Sequence, residues 1–172
     1  MKSLSLRKVN LNDKIALQKI SKQTFLETYS AGNTEDDMSR YLEEEFSLEK
    51  LVSQLSNQNS EFYFACLGSV IVGYLKINVA EAQTEMKNEN TLEIQRIYVL
   101  ADYQGKRIGK LLYKKAIEIA QQKEVDFLWL GVWEKNPKAI RFYEQLGFKA
   151  FDKHTFIVGE DVQTDIMMKK YF

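Results

Sequence analysis

The turn Gln104-Gly105-Lys106-Arg107-Ile108-Gly109 brings two glycines and two cations together, with Lys110 immediately beyond, at the point where a helical pattern of apolar residues begins. Unpaired N–H groups and the positive end of the helix dipole collect at such a start, and phosphate binds well there. The spacing matches neither G-x-x-x-x-G-K-S/T nor G-x-G-x-x-G, which argues against a nucleotide triphosphatase or a dinucleotide dehydrogenase. A plain surface turn ahead of a core helix is the alternative, and the cations favour a phosphate ligand. The other reactive residue types are scarce. One cysteine, Cys66, and one histidine, His154, exclude an internal disulfide and a Cys/His zinc site. Cys66 lies in the apolar run FYFACLG and reads as a small buried side chain; His154 receives the same structural reading.

The helix that must carry the turn starts near Ile108 and places Ile108, Leu111, Leu112, Ala116, Ile119 and Ala120 at the three-and-four spacing of a face packed on a sheet. Ahead of the turn, Leu92 to Val99 reads as a strand whose apolar alternation changes phase, since Leu92 and Ile94 are even-numbered and Ile97 and Val99 odd. Side chains alternate strictly along a strand, so one extra residue, a bulge at Gln95 or Arg96, is needed to return all four to one face. After the helix, Asp126 to Trp133 is an almost continuous apolar run, the pattern of a central strand covered on both sides. Asn136-Pro137 then starts a helix ending at Gly147.

Earlier in the chain, Ser3 to Val9 reads as a strand. A helix capped by Asn12 or Asp13 follows to about Tyr29, with Ile15, Ile20 and Phe25 inward. Thr34 and Ser47 cap two further helices, the first bearing Met38, Tyr41, Leu42 and Phe46 on one side and Glu43-Glu44-Glu45 at its end. Glu61 to Leu67 and Val70 to Val79 form a hairpin over Gly68-Ser69. Glu81 to Asn90 reads as an acidic surface loop, and Phe148 to Val158 with Val162 to Tyr171 as a closing hairpin around Gly159.

A chain of 172 residues, 45% hydrophobic and 28% charged, suits one domain spanning residues 1–172. No apolar run follows a basic start and no stretch approaches the roughly 20 apolar residues of a membrane span, so a cytoplasmic protein with no membrane partner is expected. The formal net charge is zero, which argues against nucleic acid. Acids dominate from Gln23 to Glu61 and cations from Gln104 to Lys153, so one half suits a cation and the other an anion.

The strand LEIQRIYV, the turn YQGKRIGKLL and the segment NPKAIRFYEQLGF together resemble the acetyl-CoA-binding core of the GCN5-related N-acetyltransferases (GNAT), within which LEIQRIYV, WLGVWEKN and QTDIMM look most like the PaiA-type polyamine acetyltransferases. The resemblance implies an α/β (α+β) fold: a mixed, mostly antiparallel sheet of about seven strands, helices on both faces, and a bulged, splayed fourth strand. It implies that Gln104, Gly105, Lys106, Arg107, Ile108, Gly109 and Lys110 hold the pyrophosphate of coenzyme A. In the family pattern Q/R-x-x-G-x-G/A, Arg107 stands where the first glycine belongs, and its Cβ resists a positive φ. By the same resemblance, the backbone amides of Ile97, Tyr98 and Val99 meet the pantetheine arm and the thioester carbonyl, and Asn136 contacts the cofactor. Tyr143 matches the family's general acid toward the departing thiolate. Thiol and phenol differ by roughly 1.5 pKa units, and a positioned proton donor contributes about 10²–10⁴-fold. Many relatives place a carboxylate where this chain has Gln95; Glu93 is the nearby candidate, as a base through water or as a rim carboxylate for the substrate cation.

These readings lead to direct acetyl transfer from acetyl-CoA to a primary amine of spermidine or spermine, without a metal. A homodimer is compatible with them. Two alternatives stay open: an acceptor that is a protein N-terminus, a lysine or an antibiotic amine, and a non-catalytic acetyl-CoA-binding regulator.

Overall fold

The computed structural model describes residues 2–172. Seven strands form one sheet in the order β1-β2-β3-β4-β5-β7-β6. They are β1 (Leu4–Lys8), β2 (Ser60–Leu67), β3 (Val70–Val79), β4 (Thr91–Val99), β5 (Phe127–Trp133), β6 (Lys149–Val158) and β7 (Asp161–Tyr171). Only β4 and β5 run parallel; every other neighbouring pair is antiparallel.

Helices cover both faces. Helix α4 (Ile108–Gln122) and helix α5 (Pro137–Gln145) pack on one side, where Leu75, Leu92, Ile94, Leu112, Ala116, Leu128 and Leu130 make the larger core. Helices α1 (Lys14–Tyr29), α2 (Glu35–Glu45) and α3 (Leu48–Ser56) pack on the other, over Phe62, Phe64, Tyr74 and Leu17. Alternation along β2 sorts the faces: Tyr63 and Ala65 go to the first core, Phe62, Phe64 and Cys66 to the second.

The bulge is at Gln95. Ile77 pairs with Ile94 and Lys76 with Arg96, so Gln95 is the extra residue. Because of it, Leu92, Ile94, Ile97 and Val99 all face the α4 core, while Arg96 and Tyr98 turn to the α1 side. Pairing of β4 with β5 stops at Ile94 and Leu130. Beyond that the two strands diverge, and the β5-facing backbone of Gln95 to Val99 has no strand partner. On the other side of β4, Gly73 permits the close approach of β3, since a Cβ there would stand 2.8 Å from the Tyr98 carbonyl oxygen.

The expected caps hold at three helices. Thr34 accepts from the Asp37 amide, Ser47 from Lys50 and Asn136 from Ala139. Two expectations fail on the N-terminal helix. Its entry is capped by Asn10 rather than Asn12 or Asp13, because a short 3-10 turn, Leu11–Asp13, precedes it and Asp13 completes a reciprocal capping box. Ile15 faces solvent at 58% exposure, and Leu17 is buried in its place. Nor is the acidic segment Glu81 to Asn90 only a surface loop. Gln83 is buried and accepts hydrogen bonds from the Trp129 indole and the Thr91 hydroxyl, tying the segment under β5.

Candidate active site

Where β4 and β5 diverge, a cavity of about 460 Å³ passes through the sheet. Its α4 side is lined by Gln104, Gly105, Arg107, Ile108, Gly109 and Lys110 from the turn and by Asn136, Lys138, Phe142 and Tyr143 from the start and body of α5. Its middle is Ile97, Tyr98 and Val99 of β4 against Leu130, Gly131 and Val132 of β5. Its α1 side is Thr28, Tyr29 and Trp133. Of the residues named from sequence, only Glu93 and Lys106 are absent from this wall.

The turn has the shape an anion needs. Gly105 has φ +78 and Arg107 φ +63, ψ 13, so two left-handed residues wrap the chain around the first turn of α4. A Cβ on Gly105 would meet nothing within 4 Å; its value lies in backbone freedom. Arg107 pays for the same conformation with steric strain, on the order of 1–2 kcal/mol for an L-residue. No side chain caps the start of α4, which leaves its first amides available to a ligand. Gln104 braces the turn by donating to the Val99 carbonyl, and Lys138 donates to the Gln104 side chain. Lys106 lies over the Tyr103 ring, outside the cavity. Asn136 caps α5 through its side-chain oxygen while lining the cavity.

Tyr143 is 7% exposed and wedged between the rings of Phe142 and Phe148 at 5.2 and 5.7 Å. Burial, with Tyr98 close by, pushes its phenol well above the ordinary value. Tyr98 is likewise pushed up to about 12, by burial first and by Tyr74 beside it. Both hydroxyls are therefore proton donors throughout the neutral range.

Residues 20–148 match the acetyltransferase (GNAT) family model. The chain belongs to the GNAT acetyltransferase family. A Lactobacillus delbrueckii subsp. lactis protein named as an N-acetyltransferase in the pepI 3' region is 39% identical over 88% of this chain and 87% of its own length. The spermidine N(1)-acetyltransferase of Thermoplasma acidophilum is 27% identical over 98% of both chains. The crystal structure of a PaiA N-acetyltransferase from Thermoplasma acidophilum in complex with coenzyme A superposes with TM-score 0.82 at 25% identity, covering 99% of each chain. A Rhodopseudomonas palustris GNAT structure, at TM-score 0.77 and 17% identity, shows the shared fold alone. This GNAT protein is an acetyl-CoA-dependent N-acetyltransferase.

The GNAT cavity corrects one sequence expectation and adds residues that sequence reading missed. Glu93 is not a rim carboxylate. It is 3% exposed, takes hydrogen bonds from the Thr84 amide and hydroxyl at 2.9 and 2.6 Å and from Asn78 at 3.1 Å, and does not line the cavity. Strand alternation puts it on the α1 face, but the loop now packed under β5 covers it. The missed residues are Thr28, Tyr29, Gly131 and Trp133. The aromatic spacing of Phe25 and Tyr29, one helical turn apart, was the available signal; it identified a buried face without saying which end of it reached a cavity. The Tyr29 and Trp133 rings lie 4.9 Å apart and line the α1 side of the cavity.

Proposed function

We propose that this enzyme moves the acetyl group of acetyl-CoA onto a primary amine of a small polycation such as spermidine or spermine, by direct attack with both substrates bound. Residues 1–172 act in this reading as one catalytic domain. The observation that carries it is the cavity lined from both faces of the sheet, with a cationic turn on one side and the Tyr29 and Trp133 rings on the other. The full-length similarity to a spermidine N(1)-acetyltransferase supports the choice of acceptor.

Acetyl-CoA supplies the activated thioester that the amine attacks. Gln104 to Lys110 hold its pyrophosphate through the free amides of α4, helped by the Arg107 and Lys110 charges. The unpartnered backbone amides among Ile97, Tyr98 and Val99 stabilise the negative charge that builds on the carbonyl oxygen. Asn136 fixes the start of α5 beside the arm. Tyr143 gives its proton to the departing sulfur. The amine nitrogen enters from the Tyr29 and Trp133 side as the neutral base and loses its surplus proton to solvent on that side, because no carboxylate lines the cavity and Gln95 cannot accept a proton. Holding the two reactants together supplies proximity.

Release of free coenzyme A thiol, followed with spermidine, spermine, short diamines and lysine peptides side by side, tests this reading. Release with the polyamines and none with the peptides is expected. Release with lysine peptides alone overturns it.

A further inference from the structure

Glu93 is a buried carboxylate with no place in the cavity wall, yet its hydrogen bonds lead back to that wall. Its Oε1 accepts from the Thr84 hydroxyl at 2.6 Å, and its Oε2 from the Thr84 amide at 2.9 Å and from Asn78 Nδ2 at 3.1 Å. Asn78, fully enclosed on β3, makes two further bonds. Its Oδ1 accepts from the Ser60 hydroxyl at 2.9 Å, and its Nδ2 donates to Gln95 Oε1 at 2.8 Å.

The sequence of these bonds fixes which way each amide faces. A carboxylate only accepts, so the end of Asn78 that meets Glu93 is its N–H₂ group. One hydrogen of that group goes to Glu93 and the other to Gln95, which must therefore present its oxygen. Gln95 Nε2 is left with two N–H groups and no partner among the described residues. Gln95 is the bulged residue of β4, half-buried, and it lines the cavity. The polar group it has to offer there is a donor.

A donor in that place restricts what can face it. An ammonium presents only N–H groups of its own, and a neutral amine that accepts the bond ties up the lone pair with which it attacks. Oxygen is the partner that remains. Along β4 the cavity runs from the turn at Gln104 past Val99, Tyr98 and Ile97 to Gln95, at the point where β4 and β5 part after Ile94 and Leu130. A donor molecule lying with its phosphates at the turn and its acyl end deepest brings the thioester carbonyl to the Gln95 end.

We propose that Gln95 is a catalytic residue whose Nε2 donates to the carbonyl oxygen of the thioester, beside the backbone amides of β4, and that Asn78, anchored on Glu93, is the positioning residue that holds the amide this way round. The negative charge that develops on that oxygen as the amine attacks strengthens the bond. This rests on acetyl transfer taking place in this cavity and is independent of which amine is the acceptor.

The test is the infrared carbonyl band of acetyl-CoA, isotope-labelled at the acetyl carbonyl and bound to the enzyme with no amine present. A hydrogen bond to a carbonyl oxygen lowers its stretching frequency. Gln95→Leu, which keeps the bulk and removes the donor, should move the band to higher frequency while coenzyme A affinity by calorimetry stays unchanged, and should lower kcat with spermidine by about 10²-fold with little change in KM. Asn78→Ala frees the Gln95 amide to rotate and should move the band the same way. Because Asn78 acts through Gln95, the double variant should show the Gln95→Leu band and no further shift. Gln95→Leu alters only the cavity wall, so it decides the role of Gln95 even where Asn78→Ala fails to fold. A band at the same frequency in wild type and Gln95→Leu overturns that role, and shifts that add in the double variant overturn the role of Asn78. The band shift in an enzyme that releases no coenzyme A with spermidine removes the polyamine reading and upholds Gln95.

Discussion

Tyr143 and Lys76 are both buried titratable side chains, and their positions give them opposite consequences. The Tyr143 phenol is raised by burial, so its ionisation does not limit turnover at any pH up to about 10, and a thiol set against it in the same dry pocket is raised as well. Tyr143→Phe should lower kcat by about 10²-fold or more with little change in KM; turnover equal to wild type would remove Tyr143 from the reaction. Lys76 lies on β3 outside the cavity, 4% exposed over the Phe62 ring, and burial first, then the neighbouring Arg96 charge, draws its ammonium down to about 7 from the usual 10.5. Between those two values the unfolded chain holds a proton that the folded chain has released. Stability therefore rises with pH across that window, by at most about 1.4 kcal/mol per unit, and the full penalty applies below it. Lys76→Met should be more stable than wild type at pH 6 and lose that slope, as read by urea unfolding across pH; parallel profiles would show that Lys76 does not titrate there. At this scale the sequence was uneven. Tyr143 stood out by its motif and Asn136 by its cap, whereas Lys76, Asn78 and Glu93 owe their character to neighbours from other strands, which no local pattern encodes.

The element proposed to bind the cofactor is a turn plus the first coil of a helix, and one residue in it is under strain. Arg107 takes a left-handed conformation at the position where the family pattern has glycine. Arg107→Gly removes that strain, and the freer unfolded chain returns part of the gain, so the net stabilisation should stay under about 1 kcal/mol. The same change removes a cation from the phosphate site, so affinity for coenzyme A should fall and depend less on salt, measurable by calorimetry at two ionic strengths. Unchanged affinity would place the guanidinium out of contact. The elements themselves were largely legible. The phase slip from Ile94 to Ile97 called for a bulge at Gln95 or Arg96, since alternation on a half-buried strand is strict, and the strand pairing puts it at Gln95. Thr34, Ser47 and Asn136 marked their helices. The Glu81 to Asn90 segment misled, since Gln83 is polar by type and buried by partnership with Trp129 and Thr91.

Across the whole molecule the two sides of the cavity carry different electrostatics. The anion side is built by Arg107 and Lys110 at the turn, with Lys138 beside them; the α1 side has Asp165 behind Gly131, while Glu45 pairs with Arg96 and Lys50 and offsets the unfavourable end of α2. Attraction of a polycation to such a surface is screened within about 10 Å at 0.1 M salt, so KM for spermidine should climb with ionic strength more steeply than KM for a monoamine; equal dependence would mean that charge does not guide the acceptor. The separation of acidic and basic halves was visible along the chain, but the passage through the sheet that joins them depends on β4 and β5 parting after Ile94, a consequence of three-dimensional pairing. The most direct measurement of the central claim is mass spectrometry of the products after this enzyme, acetyl-CoA and spermidine are incubated together. Spermidine carrying one acetyl group on a primary nitrogen is expected, with coenzyme A released in equal amount. Spermidine recovered unmodified, while a lysine peptide in the same mixture gains the acetyl group, would contradict it.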